Sequence, residues 1–93
     1  MIVQHEEHGS KGAFFIEENS QRLAEMTYSW AGDNQFIIDH TDVHETLRGQ
    51  GVGRHLLDAA VNMARQKRVK IIPLCPFAKS VFDKDLSIAD VLR

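Results

Sequence analysis

The sequence predicts a single α/β domain of the α+β kind. Antiparallel hairpins in front and a parallel strand–helix–strand crossover behind should share one mixed sheet. Three observations carry this. The first half holds short β-branched and aromatic runs separated by hairpin-sized turn signals. Between Gln50 and Lys67 the apolar positions switch to a helical period. A second β-branched run, Val69 to Leu74, follows that helix, and such a crossover within one sheet is parallel and right-handed.

Taken in order, Ile2 to Glu6 reads as an edge strand. Gly12 to Ile16, Leu23 to Trp30 and Gln35 to Val43 read as three further strands. In Leu23 to Trp30, Ala24, Met26, Tyr28 and Trp30 fall on one face and Leu23, Glu25, Thr27 and Ser29 on the other, the period of a half-buried strand. Glu18-Asn19-Ser20-Gln21 and Gly32-Asp33-Asn34 supply the turns. In the helix, Val52, Leu56, Leu57, Ala59, Ala60, Met63 and Ala64, with the stem of Lys67, gather on one side. Arg54, Asp58, Asn62, Arg65 and Gln66 lie mostly on the other. Pro76 suits the first turn of a second helix reaching about Asp83. Ser87-Ile88-Ala89-Asp90 has the spacing of a capped helix start.

Ninety-three residues suffice for one domain, spanning 1–93, with a modest core. A net charge of −2 with no block of like charge argues against a nucleic-acid or anionic-membrane surface. No apolar run nears the roughly 20 residues of a membrane span. Met1-Ile2-Val3-Gln4-His5-Glu6-Glu7 lacks the basic and apolar segments of a signal peptide. The only cysteine, Cys75, has no internal disulfide partner. A cytoplasmic location and a monomer or weak dimer are the expectations.

The chemically sharp stretch is His44-Glu45-Thr46-Leu47-Arg48-Gly49-Gln50-Gly51-Val52-Gly53-Arg54. It ends a strand, turns through glycines on alternate positions and opens a helix. Such a turn converges backbone N–H groups, removes obstructing Cβ atoms and adds the helix dipole, which suits a pyrophosphate. Arg48 or Arg54 would add a charge-assisted contact. Lys79, one turn into the second helix, is within reach of a phosphate or simply solvated. A glycine-rich turn without a ligand is the plain alternative.

Arg48-Gly49-Gln50-Gly51-Val52-Gly53 resembles the Arg/Gln-x-x-Gly-x-Gly/Ala signature of the GNAT superfamily of N-acetyltransferases. Asp39-His40-Thr41-Asp42-Val43 before it, and Pro73-Leu74-Cys75-Pro76-Phe77 after the helix, resemble a subfamily of minimal GNAT-like proteins of this size. The resemblance implies a truncated GNAT-like sheet, with acetyl-CoA or coenzyme A bound where its two parallel strands splay. It implies that Val43 offers backbone hydrogen bonds to the pantetheine arm and that the amides of Arg48, Gly49, Gln50, Gly51, Val52 and Gly53 hold the pyrophosphate. It also implies that His40 and Cys75 are a chemical pair.

Two departures from ordinary members stand out. Glu7 to Gly12 is too short for the two helices that usually shape the acceptor site. The usual Asn-x-x-Ala-x-x-x-Tyr after the last parallel strand is here Cys75-x-x-Ala78-x-x-x-Phe82. The phenol that would protonate a departing thiolate is absent, and a thiol stands at the start.

If Pro76 is the first helical residue, Cys75 is the N-cap, and the helix terminus favours its thiolate as a nucleophile. An inert buried cysteine is the alternative. By simple alternation His40 shares a face with Phe36, Ile38, Asp42 and His44. It reads as a base for Cys75 or for an acceptor amine, or as a packed or exposed residue. His40 and His44 imitate a metal spacing but sit on a strand without further ligands, so no metal is expected. His5, His8 and His55 show no constellation.

The resulting expectation is an acetyl-CoA-binding acetyltransferase with an unidentified acceptor. Transfer is either direct, with His40 as base, or through an acetyl-Cys75 intermediate, and the missing tyrosine tilts toward the latter. The alternative is a non-catalytic acyl-CoA sensor or carrier acting through a protein partner. A binder of another nucleotide diphosphate ranks last, because no Walker lysine follows the glycines.

Overall fold

The structure is a computed structural model describing residues 1–93. Five strands form one sheet in chain order: β1 (Gln4–His8), β2 (Lys11–Glu18), β3 (Gln21–Trp30), β4 (Gln35–Val43) and β5 (Lys70–Pro73). The first four pair antiparallel, and β4 pairs β5 parallel across helix α1 (Val52–Lys67). Helix α2 (Pro76–Lys84) follows β5, and a short 3₁₀ segment (Leu86–Val91) closes the chain. The mixed sheet expected from the sequence is thus present. β1 joins β2 through Gly9 and Ser10, which leaves no room for intervening helices.

One apolar cluster unites one face of the sheet with α1, α2 and the 3₁₀ segment. Its fully buried members include Tyr28, Phe36, Met26, Ile38, Leu56, Leu57 and Ile71. Burying a side chain such as Leu56 contributes about 1.5–3 kcal/mol, which is why α1 docks by this stripe. Val61 joins the stripe, and Ala59 lies at its edge. Gly12 is bare because a Cβ there would run into the Tyr28 ring, which crosses it to reach β1. On that strand Glu7 accepts from the Tyr28 hydroxyl at 2.7 Å and from Trp30 Nε1 at 2.8 Å. His5 also bonds the Tyr28 hydroxyl and stacks on Phe14 at 4.4 Å, so it does belong to a constellation. Burial, then the Glu7 hydrogen bond, pushes the Tyr28 pKa up, keeping the phenol a donor.

Three expectations need correction. Helix α1 starts at Val52 rather than Gln50, since Gly51 sits in the left-handed region at φ 70° as its N-cap. The last segment is capped by Asp85, whose carboxylate accepts from the Ser87 amide, rather than by Ser87. The third correction concerns β4. Thr27 pairs with His40 while the next residue, Tyr28, pairs with Ile38, so Asp39 is an extra residue in a β-bulge. The bulge reverses the alternation. Thr41 and Val43 stand opposite Met26 and Ala24 on the helix face with Phe36 and Ile38, and His40 and Asp42 turn to the uncovered face.

Candidate functional site

The bulge matters because it falls where β4 and β5 part. Their pairing ends at Ile38 and Pro73, and the amides of Leu74 and Cys75 both donate to the Ile38 carbonyl as the chain turns away. From Asp39 to Val43 the outer edge of β4 therefore has no strand partner. The His44 amide donates to the Leu23 carbonyl on the β3 side, so alternation turns the Val43 amide toward the unpaired edge.

Beyond β4 the chain makes one 3₁₀ turn (Glu45–Leu47), with His44 Nδ1 accepting from the Thr46 amide, and enters the glycine run. Gly49 and Gly51 take positive φ of 79° and 70°, and a Cβ at either would meet nothing within 4 Å. Their freedom is needed for the backbone turn and leaves the space above it open. The Arg48 amide is used inside the protein, donating to the Glu45 carbonyl. The next six amides, Gly49 to Arg54, have no acceptor in the protein. No carboxylate stands in the first turn of α1 to compete for them. A run of unused N–H groups at the positive end of a helix is matched to an anion.

These amides border a groove of about 510 Å³ between the splayed strand, the glycine turn and α2. Its walls are Thr41 and Val43 of β4, then Leu47, Val52, Phe77 and Val81, with Arg48 and Arg54 at the glycine end. An apolar channel with an anion-binding end fits a long ligand carrying a diphosphate at one extremity.

The motif residues do not share one role. Gly53 faces α2: a Cβ there would lie 2.8 Å from Cζ of Phe77, so this glycine makes room for an aromatic wall of the groove. Arg54 lines the groove, but Nε binds Asp58 at 2.8 Å and Nη2 binds Asp85 at 2.6 Å, which hold the guanidinium in place and raise its pKa. Arg48 lines the groove, is exposed and forms no ion pair, so its charge is free for a ligand. Gln50 turns its side chain to the Thr46 carbonyl, and Lys79, paired with Asp83 at 3.7 Å, lies outside the groove.

Cys75 is the N-cap of α2, with Pro76 as the first helical residue, but its side chain makes no capping hydrogen bond. The thiol is 3% exposed and donates to Thr41 Oγ1 at 3.1 Å. His40 is exposed on the other side of the sheet, so the two are not brought together. Sequence reasoning missed Thr41 and Phe77; the first needed the bulge, and the second needed the packing of α2 on Gly53. No three metal-ligating side chains converge around His40 and His44 or elsewhere, and no helix is long and apolar enough to cross a membrane.

The family model of the GCN5-related N-acetyltransferases matches residues 13–91. The chain belongs to this GNAT family. The solution structure of a GCN5-like protein from Staphylococcus aureus is 41% identical, with a TM-score of 0.72 over 97% of this chain and 87% of that one. More distant GNAT structures share the fold. A ribosomal-protein-alanine N-acetyltransferase from Brucella melitensis is 16% identical, with a TM-score of 0.67 over 83% of this chain and 62% of that one. A GNAT acetyltransferase from Elizabethkingia anophelis with acetyl-CoA bound is 20% identical, with a TM-score of 0.59 over 69% of this chain and 42% of that one. The chain thus spans less than two thirds of these two larger proteins. Among curated proteins, none matches it.

Proposed function

We propose that this GNAT chain binds acetyl-CoA in the groove and transfers the acetyl group directly to an amine. The observation that carries this is the run of unused amides from Gly49 to Arg54 at the mouth of an apolar channel. Those amides and the Arg48 side chain would hold the diphosphate, and the outward amide of Val43 would hold the pantetheine arm. When bound, acetyl-CoA supplies an activated thioester. The protein's part is to fix it beside the unpaired edge of β4 and to exclude water with Val43, Leu47, Val52, Phe77 and Val81.

Direct transfer is favoured over an acetyl-Cys75 intermediate by the seating of the thiol. Cys75 is buried, and its thiol is hydrogen-bonded to the Thr41 hydroxyl rather than to a base. His40, on the uncovered face, is available to take a proton from an acceptor that approaches through the splay from that side. A second reading, a non-catalytic acyl-CoA sensor or carrier, draws on the short β1–β2 turn, which leaves no acceptor-shaping helices. Another nucleotide diphosphate is the weaker ligand, because the channel beyond the amides is walled by apolar side chains.

The test is CoA-thiol release from acetyl-CoA with a panel of primary amines and peptides, paired with intact-protein mass spectrometry. Amine-dependent release with unmodified protein is expected. Tight acetyl-CoA binding without release to any amine would favour the sensor, and an acetyl adduct on Cys75 that amines discharge would restore the covalent route.

A further inference from the structure

The groove wall near the splay carries one polar side chain among apolar ones, and that side chain is already engaged from behind. The Asp39 bulge turns Thr41, rather than His40, toward the helix face. There the Cys75 thiol donates to Thr41 Oγ1 at 3.1 Å. An oxygen that accepts on one side directs its own hydrogen elsewhere, and the Thr41 hydroxyl donates to no protein group. Thr41 lines the groove, whereas Cys75 does not. A single oriented donor in an apolar wall is how a pocket fixes the register of a ligand.

We propose that the Thr41 hydroxyl, held by Cys75, donates a hydrogen bond to the thioester end of the ligand, so that Cys75 acts as a positioning residue for Thr41. This rests on the acetyl-CoA reading. It assigns the buried thiol a purpose that needs neither a thiolate nor a covalent bond.

Calorimetry with two probes tests it: acetyl-CoA, and 3′-phospho-ADP, which carries the phosphates but no thioester arm. Thr41→Val keeps the shape and removes the donor. It should weaken acetyl-CoA binding about five- to tenfold, the scale of one hydrogen bond to a buried group, and leave 3′-phospho-ADP unchanged. Thr41→Ser should keep acetyl-CoA affinity near that of the wild type. Cys75→Ala, which frees the hydroxyl to turn, should lose roughly twofold on acetyl-CoA alone. Unchanged acetyl-CoA binding by Thr41→Val, or equal weakening of both probes, would overturn the proposal. Wild-type protein that binds neither probe would instead overturn the acetyl-CoA reading, and this proposal with it.

Discussion

The ring of Phe77 occupies the space that a side chain at Gly53 would need: the missing Cβ would lie 2.8 Å from Cζ and 3.0 Å from Cε2. The two residues are 24 positions apart, one in the first turn of α1 and the other in the first turn of α2. The last glycine of the motif therefore sets the distance between the helices that wall the groove. Gly53→Ala would otherwise favour a helix by about 0.5–1 kcal/mol. Here it should displace Phe77, loosening the groove and weakening CoA binding several-fold. Gly53→Ala combined with Phe77→Leu should recover most of the affinity. Calorimetry decides: a double variant as weak as the single one would return Gly53 to the role of a phosphate-approach glycine.

Gly51 is a different case. A side chain there meets no protein atom, but the backbone is left-handed at φ 70°. Gly51→Val adds about 1–2 kcal/mol of backbone strain, so its loss of CoA binding would mix strain with obstruction. Gly51→Asn separates the two, since Asn tolerates this conformation. Thermal melts should show Gly51→Asn near wild-type stability and Gly51→Val lower, with CoA binding weakened in both. Wild-type affinity in a folded Gly51→Asn protein would show that the space above this glycine is unused.

Asp85 accepts from the Ser87 hydroxyl at 2.6 Å and its amide at 2.9 Å, and from Arg54 at 2.6 Å. The Ser87 hydroxyl bond first, then Arg54, hold its carboxyl down at about 2. A depressed carboxylate stabilises the fold fully above its ordinary value of 3.8, and the contribution disappears as pH falls through about 2. Asp85→Ala should lower Tm by a few degrees at neutral pH, and the gap to wild type should close between pH 4 and 2. A gap that persists unchanged at the acid end would mean that the carboxylate charge is not what matters.

Tyr28 ties β1 to the sheet through Glu7 and His5. Tyr28→Phe should cost about 1–1.5 kcal/mol in urea unfolding, the worth of the lost hydrogen bonds. CoA affinity should stay the same, because this cluster includes no residue of the groove wall. A large loss of CoA affinity without destabilisation would connect the two ends of the sheet in a way the packing does not.

Much of this architecture was legible in the sequence because it is local. The alternation of Leu23 to Trp30, the turns and the helical stripe from Val52 to Ala64 depend on neighbours a few residues apart. The glycine turn declared itself for the same reason. The Asp39 bulge did not: Gln35 to Val43 reads as unbroken alternation, and one extra residue against β3 exchanges His40 for Thr41 on the helix face. Arg54 with Asp85, Cys75 with Thr41 and Phe77 with Gly53 are 24 to 34 positions apart. Nothing in a local period encodes them, so the sequence leaves Arg54 open beside Arg48 as a phosphate contact and links Cys75 to His40 only through the family resemblance. The geometry instead gives Arg54 two carboxylates and gives Cys75 a hydroxyl.

The amides at the start of α1 are assigned to the ligand's diphosphate. A proton–nitrogen NMR titration with CoA tests it at the atoms concerned. The largest amide shift changes should fall on Gly49, Gln50, Gly51, Val52, Gly53 and Arg54, with Val43 following, and 3′-phospho-ADP should reproduce the first group but not Val43. Saturating CoA that leaves those amides unmoved, or moves only residues on the uncovered face around His40, would mean that the diphosphate is held elsewhere.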